Sequence, residues 1–171
     1  MGDPRTDSRA PEKEVRMVFD VAEIVDMGIE KEKKRRDFYG LVAEMFEEKE
    51  TRELFLRLRD WEETHIKRFA ELRESVREPL TAERYPGETQ AYMDALVDDK
   101  LYDHVSPDQF SANVKDVHLA VRYAIGFEKD AILFFSELLQ WVKSPNVEPI
   151  KKLIEEEKQH IVYLADLRKK L

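Results

Sequence analysis

Two short motifs in this chain pair a carboxylate with an imidazole at the same spacing: Glu62-x-x-His65 and Glu157-x-x-His160. Residues three apart on a helix share a face, so both side chains of each motif can reach one cation. Upstream of each motif stands a glutamate seven residues before an aromatic, Glu32 before Tyr39 and Glu128 before Phe135. The separation between first and second glutamate is 30 residues in one half (32 to 62) and 29 in the other (128 to 157). The halves therefore read as a repeated helical hairpin, which gives a site built from these residues an approximate twofold symmetry. The chemistry such a set suits is binding of two divalent cations. The four negative charges of Glu32, Glu62, Glu128 and Glu157 balance two dications, as a low-dielectric interior demands, and His65 and His160 add neutral nitrogen ligands.

A single Glu-x-x-His carries little weight. With 37 acidic residues in 171, roughly one histidine in five has an acidic residue three positions before it by accident. The argument gains force from what surrounds the motifs. Apolar residues return every three or four positions over long stretches, the helix period. One stripe runs Leu58, Glu62, His65, Phe69, Leu72, Val76, and another Ile150, Leu153, Glu157, His160, Leu164, Leu167, Leu171. A third runs Val117, Val121, Ala124, Glu128, Ala131, Phe135, Leu138, Val142, and a fourth Val21, Val25, Gly28, Glu32, Arg35, Tyr39, Val42, Phe46. The carboxylates and imidazoles interrupt apolar stripes, where unpaired charges would cost several kcal/mol per ion, on the order of a whole domain's stability when summed.

The positioning elements are four long helices, expected over 15–48, 51–76, 114–142 and 147–171, with Thr51 as N-cap of the second and Pro79 ending it. Ser144-Pro145 is expected to break the third. Between the hairpins, residues 79–112 form a mixed connection holding a short helix near 89–97 and a helix start at Ser106-Pro107. Two short loops and one long crossover make a four-helix bundle with hairpin, crossover, hairpin order. Residues 1–14 are polar and Pro-containing and are expected to form a flexible tail, leaving 15–171 as one domain.

The remaining composition narrows the function classes. There is no cysteine, so disulfides, thiolate nucleophiles and sulfur-ligated metals are excluded, and any metal is held by oxygen and imidazole nitrogen. The net charge of −8 leaves no basic face for nucleic acid. No apolar run of membrane-spanning length is present and no signal-peptide pattern precedes the domain, so a cytoplasmic protein is expected. His104 and His118 lie outside the motifs, and His118 is expected at the surface or core edge.

The segments 32–39, WEETH at 61–65, FEKDAILFF at 127–135 and EEEKQH at 155–160 resemble the rubrerythrin branch of the ferritin-like di-iron carboxylate superfamily, over roughly residues 18–171. The resemblance implies an all-α ferritin-like bundle in which Glu32, Glu62, Glu128, Glu157, His65 and His160 hold two iron ions, with Mn or Zn as substitutes and one carboxylate from each half bridging. It implies an oxidoreductase that reduces hydrogen peroxide or O2, or alternatively a ferroxidase or iron-storage protein acting on Fe(II). A non-catalytic bundle stabilised by its metals is the third reading. Lacking cysteine, the chain is similar to the rubredoxin-free members, so electrons are expected from a separate donor such as a rubredoxin, and the expected assembly is a homodimer.

Two positions depart from that pattern. Ala131 stands where rubrerythrins tend to carry an extra glutamate, which leaves a four-Glu, two-His set closer to bacterioferritin. Arg35 stands one turn from Glu32, where relatives tend to be small. A guanidinium there competes with metal for Glu32 or gates access; the expectation is the blander one, that Arg35 snorkels to solvent. Tyr39, in phase with Glu32, is a hydrogen-bond partner of a ligand carboxylate, an electron relay, or simply a buried tyrosine whose hydroxyl has some other partner. Its counterpart, Phe135, has no hydroxyl.

Overall fold

The structure is a computed structural model that describes residues 21–76, 91, 92, 95, 96, 98 and 100–171. Four long helices carry the fold: α1 (Val21–Met45), α2 (Lys49–Ser75), α5 (Val117–Leu138) and α6 (Val147–Lys170), with short α3 (Lys100–Asp103) and α4 (Pro107–Asn113) in the crossover. No strand occurs among the described residues. The tail at 1–14, the beginning of the first helix before Val21, Pro79 and most of the expected helix at 89–97 lie outside them. Helix α1 packs most extensively on α2 and α5 on α6, while α1 against α5 and α2 against α6 close the bundle. The architecture is the all-α four-helix bundle with a crossover between hairpins.

Several helix ends differ from the sequence expectation. The cap of α2 is Glu48, not Thr51: its carboxylate accepts from the backbone N–H of Glu50 at 2.9 Å and of Thr51 at 2.7 Å. Glu48 has extended backbone (φ −59°, ψ 123°), and α1 has already ended at Met45. Thr51 is instead buried in the first turn. Helix α5 begins at Val117 rather than 114, because extended Asp116 caps the N–H of Leu119 at 2.8 Å. It stops at Leu138, well before Ser144-Pro145, as N–H groups of Gln140 and Trp141 bond three residues back and tighten the chain into turns. Ser106 and Pro107 do open a helix, α4.

The four stripes face inward almost throughout. Phe46 and Val117 are only half-buried, and Leu171 at the chain end is exposed. The interior divides into two apolar clusters. One gathers Phe38, Tyr39, Leu58, Ala124, Phe127 and Leu164; the other gathers Val25, Phe69, Ala131, Phe135, Leu138 and Ile154. On every long helix the chain crosses from one cluster to the other at its glutamate: Glu32, Glu62, Glu128 or Glu157. The apolar layers above and below, each large side chain contributing about 1.5–3 kcal/mol, hold four carboxylates at one level.

Gly28 lies where α1 approaches Phe134 of α5; a Cβ there would meet Phe134 Cε1 at 3.1 Å and Phe69 Cε1 at 3.8 Å. Phe134 is buried and pinned edge-on against Phe135. Gly28→Val is therefore expected to destabilise the chain by about 1–3 kcal/mol through overpacking, seen as a lower urea midpoint with unchanged slope.

Candidate metal centre

At the level between the two apolar clusters, Glu32, Glu62, Glu128 and Glu157 are fully buried, and His65 and His160 are 2% and 3% exposed. They form two overlapping groups, Glu32–Glu62–His65–Glu157 and Glu62–Glu128–Glu157–His160, in each of which one donor atom per residue lies within 4.8 Å of all the others. Glu62 and Glu157 belong to both. Their oxygens divide between the halves. His65 Nδ1 faces Glu157 Oε1 at 3.2 Å and Glu62 Oε2 at 3.3 Å. His160 Nδ1 faces Glu157 Oε2 at 2.8 Å and Glu62 Oε1 at 3.7 Å. Glu32 and Glu128 close the two ends, at 3.6 Å from His65 Nδ1 and 3.5 Å from His160 Nδ1.

The donor atoms fit a pair of cations. Glu32 Oε2, both oxygens of Glu62, Glu128 Oε2, Glu157 Oε2 and the Nδ1 atoms of both histidines are buried without a hydrogen-bond partner. Buried polar groups are ordinarily paired; seven unpaired electron-pair donors converging on one level suit metal coordination, and oxygen with imidazole is a donor set for iron, manganese or zinc.

The remaining contacts orient these groups. Tyr39 donates its hydroxyl to Glu128 Oε1, across from α1 to α5, so its hydroxyl meets a carboxylate of this cluster rather than some other partner. His65 Nε2–H donates to Glu156 at 3.1 Å, and Arg68 also pairs with Glu156. With Nε2 engaged outward, Nδ1 of His65 is the nitrogen turned to the carboxylates and, once it gives up its proton, the one able to take a metal. The rings of His65 and His160 stack at 5.6 Å, and Trp61 stacks on His160 at 4.9 Å. Trp61, Glu156 and Arg68 escaped sequence reading. Glu156 sits beside Glu157 in an acidic triplet, where nothing in the spacing says that the neighbour also turns toward the site.

Arg35 does not snorkel. It is fully buried, and its Nη2 pairs with Glu32 and lies 3.4 Å from Glu157 Oε1 and 3.6 Å from Glu62 Oε2. Its guanidinium stands 5.8 Å over the Phe135 ring. Three carboxylates converge on it there, which compensates the charge that burial would otherwise strand. His104 and His118 are exposed, and Ala131 is buried in the apolar cluster.

The charges perturb one another strongly. Burial, then the Glu157 and Glu32 carboxylates, push Glu62 well above the usual carboxylate range. Burial and Glu157 raise Glu128 to about 7. Burial acts the same way on Glu32 and Glu157 but is outweighed by Arg35, helped by the histidines, and both are held low. For His160 burial opposes the charge, yet Glu128 and Glu157 lift it to about 10. His65 is raised likewise, by Glu157 and Glu156 against burial.

One side of the centre opens outward. A cavity of about 290 Å³ lined by Trp61, His65, Arg68, Glu156, His160 and Tyr163 reaches the backs of both imidazoles. Tyr39→Phe leaves that side untouched and removes the donor on Glu128. It is expected to weaken metal binding in the His160 half roughly 10–100-fold, the usual cost of losing an orienting partner, read by titration calorimetry.

No helix among the described residues is long and apolar enough to cross a membrane. The family model described as Rubrerythrin matches residues 23–168. No curated protein and no solved structure matches the chain significantly.

Proposed function

The chain belongs to the rubrerythrin family, and from that premise we propose that it is a di-iron redox protein reducing hydrogen peroxide, or O2, with electrons from a separate donor. The observation that carries this reading is the pair of overlapping donor groups sharing Glu62 and Glu157. Glu32, Glu62, His65 and Glu157 would hold one iron, and Glu62, Glu128, Glu157 and His160 the other. Iron bound there supplies electrons one per ion, and reduction of hydrogen peroxide to two waters takes two electrons and two protons. The protein's part is placement. Two apolar clusters exclude bulk water, Tyr39 fixes Glu128, Glu156 fixes His65, and the cavity beside the imidazoles admits a small substrate.

Ferrous oxidation is the second reading. It is favoured by Ala131, which brings no fifth carboxylate, so the set remains four glutamates and two histidines. The experiment is to load the chain with iron, reduce it without oxygen and add peroxide. Fast reoxidation that turns over with added reductant supports the first reading. Slow accumulation of many irons per chain supports the second, and no redox response defeats both.

Metal uptake also has a defined pH dependence. In the metal-free chain His160, at about 10, keeps its proton at neutral pH, and Glu128, at about 7, keeps its own below that. A cation must displace these protons, so binding releases protons and affinity falls as pH is lowered through 7. An indicator dye in weak buffer is expected to report acidification on adding Zn(II), and titrations at pH 6 and 8 to differ by at least about tenfold.

A further inference from the structure

The two halves of the centre are not equivalent, and the difference is Arg35. Its Nη2 faces Glu32, Glu157 Oε1 and Glu62 Oε2. Those last two oxygens are the ones that His65 Nδ1 also faces. Among the described residues, no guanidinium pairs with the oxygens turned toward His160, Glu62 Oε1 and Glu157 Oε2, and the end carboxylate of that half, Glu128, is met by the neutral Tyr39 hydroxyl instead. Arg35 is no loose surface group: it is fully buried, with Phe135 beneath it.

We propose that Arg35 is a built-in cation filling the His65 half of the centre. The first divalent ion then enters on Glu62, Glu128, Glu157 and His160, and a second enters on Glu32, Glu62, His65 and Glu157 only after the guanidinium has left. This rests on the metal-centre reading above. Two dications alone balance the four carboxylates; with the guanidinium still inside, a second dication would meet a like charge at the very oxygens it needs. Because two-electron chemistry calls for both ions, departure of Arg35 gates it. The residue is a positioning and gating group, not one that touches the reacting atoms.

The test is a titration of the metal-free chain with Co(II), read by visible absorption and calorimetry. The wild type is expected to bind one ion tightly and a second at least about 100-fold more weakly, since like charges close together in a buried site repel strongly. Arg35→Met is expected to bring the two affinities together. His160→Ala is expected to abolish the tight site and His65→Ala to preserve it. Two equally tight ions in the wild type, or a tight ion lost in His65→Ala and kept in His160→Ala, overturn the proposal. Should Arg35→Met fail to fold by circular dichroism, the two histidine variants still decide the order of filling. If no chain binds Co(II) at all, the metal-centre reading falls and this proposal with it; equal binding of two ions sinks only the role of Arg35.

Discussion

Glu157→Ala is expected to leave the chain unable to hold metal in either half, with affinity down by more than about 100-fold and redox activity lost. Glu157 faces both imidazoles, with Oε1 3.2 Å from His65 Nδ1 and Oε2 2.8 Å from His160 Nδ1. Glu128→Ala removes a donor from one group alone, so it should spare the His65 half, and the contrast between the two variants separates a shared ligand from an end ligand. The same change matters without metal. Glu62 and Glu157 both face Arg35, His65 and His160. Burial and its neighbours push Glu62 up, while against burial Arg35 and the histidines hold Glu157 low, so Glu157 is the counter-charge. Stranding buried cations costs about 3–5 kcal/mol, so the metal-free variant should also unfold at markedly lower urea. Metal retained at wild-type stoichiometry in Glu157→Ala would end the shared-carboxylate account.

Removal of metal from the native chain should lower its melting temperature by roughly 10–15 °C. One ion held at a free concentration a thousandfold above its Kd stabilises the folded state by about 4 kcal/mol. In a chain of this size each kcal/mol moves the midpoint by about 2–4 °C. A second, weaker ion adds less, about 1.4 kcal/mol less for each tenfold in affinity. The metal-free chain should still fold, because Arg35 and the protons on His160 and Glu128 partly replace the missing cations. Calorimetry of the loaded chain with and without chelator measures the shift. An unchanged midpoint would show that the buried carboxylates do not depend on metal.

The fold was legible because its signal is periodic. Polar residues interrupting apolar stripes marked Glu32, Glu62, His65, Glu128, Glu157 and His160, and the structure brings those six to one level. Helix ends were less legible. Thr51 is the better cap by residue type and would have served the N–H groups of Glu53 or Leu54, but Glu48, three positions earlier, caps Glu50 and Thr51 and starts the helix sooner. Likewise Asp116, not Val114, sets where α5 starts.

The sequence by itself determined which residue types share a helix face, since that needs only the 3.6-residue repeat. It could not say what stands across from each face. Arg35 lies in phase with Glu32, and phase alone permits either a bend to solvent or a turn inward. Only the packing of α2 and α6 opposite α1, which sets Glu62 and Glu157 within 3.6 Å and 3.4 Å of its guanidinium, decided for the interior. The Tyr39–Glu128 and His65–Glu156 bonds have the same origin: each joins residues about 90 positions apart. Local spacing carries no information about such partners, because a side chain's electrostatic environment is made by the helices facing it, not by the helix that bears it.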